Sequence, residues 1–371
     1  MIYREMKHER IRPDLITYGT LIHAEARGGT LKGALDLFEE LKKRMKPNRR
    51  IVNSLVNMAT LATSPSQLDR LLSVIKPYEG QLDTMAYNML IGGLAQFGRS
   101  EQVQEIYDRV FRHEKPDIAT FTHLILAYAN DNCVDDALEI YQVLREHHHQ
   151  EKAKVRLDAT FYSTLIASLS TVKEDNNERL LAALVLFNDM RSLGIQPSAH
   201  TYTAMLHACG QYRDDYVLEH VYGLIKVDLY LDPDIGIYNA LMDAYNRTGD
   251  GETVLEIWQQ LTTSSEVVID PTTVSIVFDS CGHNGHFDRA ISIWRWLQLA
   301  GFKLNTNNYT SYIECLCRIP GRAGFDQALE VARSMSRPKH VRPGQPMIDQ
   351  KTINTLHSFA RKKGISDYFI L

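Results

Sequence analysis

The sequence of 371 residues predicts an all-α fold, a solenoid built from short two-helix units. Three observations predict it. Apolar residues recur at i, i+3, i+4 and i+7 in successive short segments, which marks one face of a helix each time. A unit of about 35 residues returns along the whole chain, inside the range of two-helix repeats. A Pro-Asp or closely similar pair stands at a constant phase of that unit.

The clearest copy is Thr84–Asp117, TMAYNMLIGGLAQFGRSEQVQEIYDRVFRHEKPD. Tyr87, Leu90, Ile91 and Leu94 form the apolar face of a first helix, and Gly98 punctuates. Val103, Ile106, Tyr107 and Val110 form the face of a second helix, which Pro116 is expected to stop. Two helices this short cannot bury both faces alone, so each unit needs a copy on either side.

Aligned by an aromatic followed by a small polar residue, the copies start near Leu15, Arg49, Thr84, Ile118, Ala159, Ala199, Ile235, Pro271 and Thr306. Residues 1–14 read as the end of an earlier repeat, 15–349 as the array, and 350–371 as a partial final repeat. The chain is therefore expected to begin inside a repeat, with earlier repeats or a leader upstream of it. Second helices repeat a small residue, Ala34, Ala137, Ala183, Ala290 or Ala328, that permits close contact. They also repeat a large one, Phe38, Tyr141, Phe187, Trp258 or Trp294, that is expected to fill the space between layers. Three irregular stretches interrupt the register: His147–Arg156, TVKEDNNERL after Ser170, and SRPKHVRPGQP, whose core is Pro338–Pro346. Each falls at a turn or junction, where solenoids accept insertions.

Composition excludes several classes. Net charge is -4 and 44% of residues are hydrophobic, neither collagen-like nor disordered. No apolar run approaches the roughly 18 residues of a membrane span. The five cysteines include no CxxC, and reduced buried thiols are expected, as in a reducing compartment. A zinc deaminase would need HxE and PCxxC, and neither occurs. There is no P-loop or Gly-rich nucleotide fingerprint. His283-x-x-His286 lies in a repeat turn and His147–His149 in an insert, so both read as polar surface rather than metal ligands. No catalytic residue, metal or cofactor is expected.

The motifs YNMLI with KPD in Thr84–Asp117, TYGTLI with RPD before it, and IYNALMDAYNRTGD with Asp270 resemble the pentatricopeptide repeat family, and the resemblance covers essentially the whole chain. It implies a right-handed superhelix of about ten units. It also implies a monomeric, non-enzymatic protein of the mitochondrial matrix that binds single-stranded RNA in transcript stability, processing or translation. Other RNA-processing or translation factors are the implied protein partners. In this family each repeat reads one base through two residues facing a concave groove: the small polar residue after the first-helix aromatic, and the last residue of the repeat. Carried over, the pairs are Asn53 with Asp83, Asn88 with Asp117, Thr122 with Asp158, Ser163 with Ser198, Thr203 with Asp234, Asn239 with Asp270, and Ser275 with Asn305. Gly19 with Asn48 lacks a first reader, and Thr310 pairs with either Gly344 or Asp349. The family's pairing rule assigns U to Asn with Asp, G to Thr with Asp, and A to Ser with Asn, giving 5′-UUGNGUA-3′ from Asn53 to Asn305.

The same residues carry a plainer reading. Ser, Thr, Asn and Asp near helix starts are helix caps. Two features oppose tight RNA binding. Net charge is negative, and the position three before the first reader, which stacks on bases in the family, is only patchily apolar: Ile16, Arg50, Met85, Ala119, Thr160, His200, Gly236, Thr272 and Asn307. Basic clusters at Lys42–Arg50, Arg333–Arg342 and Arg361–Lys363 are solvated faces or phosphate contacts. The alternatives are a protein-interaction scaffold, such as a mitochondrial ribosome-associated component, and the RNA-binding arm of a truncated protein-only RNase P relative.

Overall fold

The computed structural model describes residues 2–9, 11–28, 30–111, 115–148, 155–171, 177–264, 267–335 and 346–365. Most of His147–Arg156 and of Pro338–Pro346, and half of TVKEDNNERL, lies outside them. The chain divides into two compact units, Met1–Leu169 and Ser170–Leu371.

In the first unit a short helix, Ile2–His8, precedes helix pairs Leu15–Gly28 with Leu31–Lys42, and Arg49–Val56 with Pro65–Ile75. Thr84–Gln96 with Ser100–Val110 and Ile118–Asn130 with Val134–His148 follow, and Ala159–Leu169 closes the unit. The second unit opens on Glu178–Ser192. It then pairs Ala199–Tyr212 with Asp215–Val227, Ile235–Thr248 with Gly251–Thr263, Pro271–Asn284 with Phe287–Leu299, and Thr306–Arg318 with Ala323–Ser334, before Gln350–Lys362. Within each unit successive first helices pack side by side as one layer. In the second unit each second helix from Asp215–Val227 onward packs on its own first helix and on the next, which buries both apolar faces.

The packing residues sit where the periodicity places them. Ala34, Ala137, Ala183, Ala290 and Ala328 are buried, as are Phe38, Tyr141, Phe187, Trp258 and Trp294. The Tyr141 and Tyr162 hydroxyls meet at 3.0 Å, so these buried rings satisfy their polar ends on one another. Cys209, Cys281, Cys315 and Cys317 are buried free thiols, while Cys133 is half-buried. Burial pushes the thiols of Cys281 and Cys317 up to about 12, which leaves them unreactive. No helix among the described residues is long and apolar enough to cross a membrane.

One local expectation changes. The helix Ser100–Val110 ends well before Pro116, so this proline does not terminate it. Proline instead precedes the cap of the next helix, at Pro13, Pro47, Pro116, Pro197 and Pro233. Its ring fixes φ, and it leads into a cap residue whose own backbone is extended, as at Asp117 and Asp234. The first helix that begins at Arg49 stops at Val56, and a single 3₁₀ turn, Ala59–Leu61, follows. A Cβ built on Gly93 would lie 2.8 Å from the Ala59 carbonyl oxygen, so this backbone seats directly on the neighbouring helix.

Candidate nucleic-acid interface

The last residue of each repeat is the N-cap of the following first helix. Asp14, Asn48, Asp83, Asp117, Asp158, Ser198, Asp234, Asp270, Asn305 and Asp349 each accept from the backbone N–H three residues on. That bond satisfies one orphan donor of the helix start, worth about 1 kcal/mol each.

In three repeats the cap carboxylate also reaches back to the first reader. Nδ2 of Asn53 donates to Asp83 at 2.6 Å, and Nδ2 of Asn88 to Asp117 and of Asn239 to Asp270 at 3.2 Å each. The carboxylate can only accept, so it fixes which way each amide points. Burial would raise the carboxyls of Asp117 and Asp270. The backbone and hydroxyl bonds from Thr120 or Thr273, and the Asn88 or Asn239 amide, outweigh it and hold both below the usual range.

The other pairs are assembled differently. Thr122 donates to the Ile118 carbonyl at 2.6 Å and Ser163 to the Ala159 carbonyl at 2.7 Å, both within their own helices. Ser163 and Ser198 lie in different units. Thr203 is half-buried, and Asp234 caps the next helix. Ser275 accepts from Asn308 Nδ2 at 2.9 Å, and Asn308 rather than Ser275 binds the Asn305 cap. Thr310 is buried and reaches Asp349 through the Thr352 hydroxyl, at 2.7 Å and then 2.7 Å; Gly344 lies outside the described residues. At Gly19 the missing side chain adjoins a cleft of about 740 Å³ lined by Ile16, His23, Arg49, Arg50 and Asn53.

A third set of residues completes this row and escaped the sequence reading: Thr120, Thr201, Thr273, Asn308 and Thr352, all fully buried. Thr120, Thr201, Thr273 and Asn308 close capping boxes with Asp117, Ser198, Asp270 and Asn305. The spacing Asp/Ser/Asn-x-x-Thr/Asn was the available signal. Beside the row, Ile16 and Met85 are 77% and 66% exposed, as stacking positions would be. Charge is less favourable. Arg247 and Arg318 are held by Asp243 and Glu314 at 2.7 and 2.8 Å, and Lys363 donates to the carbonyls of Ile319 and Gly321. Lys42, Arg44 and Arg49 pair with Glu39, Glu40 and Asp83. Arg50 stays exposed. Among the described residues no group of three or more His, Cys, Asp or Glu could hold a metal ion.

Stacked two-helix units with a polar row on the first-helix layer define a helical-repeat protein of the α-solenoid class. The chain belongs to the pentatricopeptide repeat family: the family description "Pentacotripeptide-repeat region of PRORP" matches residues 112–297. "Pentatricopeptide repeat domain" matches residues 1–60, and "PPR repeat" matches 85–113. A pentatricopeptide repeat-containing protein of Arabidopsis thaliana is 26% identical over 294 residues, 76% of this chain and 29% of that protein. A mitochondrial one from the same plant is 20% identical over 406 residues, 90% of this chain and 59% of its own length. The crystal structure of maize PPR10 with an 18-nt psaJ RNA element superposes with a TM-score of 0.56 at 20% identity, over 98% of this chain and 51% of that one. A cysteine-substituted form of the same complex gives 0.60 at 16%, over 89% and 46%. The chain therefore spans about a third to three-fifths of these proteins, and the likeness to PPR10 establishes the fold.

Proposed function

We propose that this chain binds single-stranded RNA sequence-selectively and without catalysis, in mitochondrial RNA stability, processing or translation. The observation that carries the reading is the fixed amide at Asn53, Asn88 and Asn239, each oriented by the cap carboxylate of the next helix. A donor–acceptor group held in one orientation, repeated once per unit, is what base-by-base readout requires. The RNA-bound complex of PPR10 and the mitochondrial relatives support the same reading. Holding a single strand would occlude it from nucleases and competing RNA structure.

Selection from a random RNA pool tests it, with 5′-UUGNGUA-3′ expected from the pairing rule. Asn239→Thr should move the sixth base from U toward G and leave the others, a change of roughly 1–3 kcal/mol at that base. A pool that returns no enrichment, or a substitution that weakens every sequence alike, rejects the reading. The protein-scaffold alternative then gains, favoured by the second unit's nineteen Lys and Arg against twenty-three Asp and Glu.

A further inference from the structure

Two repeats carry the same three residues in the same places: Asn88, Asp117 and Thr120 in the first unit, and Asn239, Asp270 and Thr273 in the second. Most of their bonds match. The amide nitrogen donates to the carboxylate at 3.2 Å in both. The threonine N–H donates to the carboxylate at 2.8 Å in both, and the threonine hydroxyl lies 2.9 Å from it in both. One contact differs. The Thr120 hydroxyl also lies 2.7 Å from Asn88 Oδ1, so its single proton is shared between that oxygen and the Asp117 carboxylate. Among the described residues no protein group donates to Oδ1 of Asn239, which is buried, nor to Oδ1 of Asn53, whose repeat has Ala86 at the threonine position.

The packing around Asn88 differs as well. Gly92, one turn on, faces the ring of His123, and a Cβ there would lie 2.9 Å from its Cε1. Asn88 is only 9% exposed. The corresponding positions in the second unit are Asp243 and Ile276, and Asn239 there is half-buried.

We infer that Thr120 silences Asn88 as a base reader, so the repeat bound by Asn88 and Asp117 accepts any base while Asn53 and Asn239 discriminate. This rests on the RNA reading above. With its nitrogen committed to a carboxylate, each amide has only its oxygen, an acceptor, left to pair, and at Asn53 and Asn239 a base must uncover that oxygen to reach it. A base that offers no donor leaves that buried acceptor unpaired at Asn239, and this penalty is the discrimination. At Asn88 the Thr120 hydroxyl already supplies the donor. A mismatched base strands nothing there, and the second U of the pairing rule loses its physical basis.

The test measures Kd for RNAs carrying each of the four bases at the second or the sixth position of the selected motif. The wild-type chain should vary by less than about threefold at the second and by about tenfold or more at the sixth. Thr120→Val removes the hydroxyl at nearly constant shape and should raise discrimination at the second position to about fivefold or more. Thr120→Ser, which keeps a hydroxyl, should stay flat. Circular dichroism checks that each variant folds, and the wild-type contrast needs no variant. Equal discrimination at both positions in the wild type overturns the inference and leaves the RNA reading standing, as does a folded Thr120→Val that stays flat. If the sixth position is also flat, the RNA reading itself fails and this inference falls with it.

Discussion

Trp294 and Tyr312 stack face to face, ring centroids 4.2 Å apart and planes 7° from parallel. Trp294 lies on the second helix of one repeat and Tyr312 on the first helix of the next, so the stack joins consecutive repeats of the second unit. Phe278 and Tyr309 meet Trp294 at 5.9 and 5.0 Å. Trp294→Ala should therefore cost about 3–5 kcal/mol by deleting a buried aromatic. Trp294→Phe should keep most of the contact. Urea unfolding of both variants checks this, and an alanine loss below about 1 kcal/mol would show that the repeats do not depend on this ring.

Gly98 has φ of +62°, and a Cβ there would lie 2.6 Å from the Asn130 carbonyl oxygen. Gly194 has φ of +71° with nothing within 4 Å of the same built atom. Gly194→Ala should cost only the left-handed backbone term, about 1–2 kcal/mol. Gly98→Ala adds a collision with backbone and should cost clearly more. Equal losses in thermal melting would mean that the turn at Gly98 relaxes freely.

The cap carboxylates set an acid limit on stability. Asp117, Asp270 and Asp349 are depressed in the folded state: burial opposes this, and the hydrogen bonds to each cap outweigh it. Their stabilisation is complete above the unfolded carboxylate value, about 4, and is lost as pH falls through the lower folded values. Melting temperature should hold from neutrality to about pH 5 and fall below about pH 4. Asp270→Asn should flatten part of that fall. A variant with an unchanged acid slope would show that Asp270 does not carry the linkage.

Lys363, at the end of helix Gln350–Lys362, ties it to the turn between Thr306–Arg318 and Ala323–Ser334, donating to Ile319 O at 2.6 Å and Gly321 O at 2.8 Å. Lys363→Met removes both charge-assisted bonds and should destabilise the second unit by about 1–3 kcal/mol. RNA affinity at a temperature where the variant stays folded should be unchanged. A loss of affinity with no loss of melting temperature would return this cation to the role of a phosphate contact.

The sequence by itself determined the helical period, the repeat register and the packing residues, from Ala34 and Phe38 to Ala328. The reason is physical: a two-helix unit must bury one stripe per helix, and that demand is written locally at i, i+3, i+4 and i+7. It also determined which residues could act as readers, because the small polar side chain and the cap recur at constant phase. Tertiary structure alone decided how each reader is wired. Asn88 and Asn239 share one residue type, one partner type and a threonine at the same place, yet only the Thr120 hydroxyl also reaches the amide oxygen. The Pro-Asp pair lies on the legible side: its position and its capping of the following helix were both readable, and the Thr120 N–H donates to Asp117 at 2.8 Å. Hydrogen-bond partners between helices are fixed by interhelical distance, and no local pattern encodes that distance.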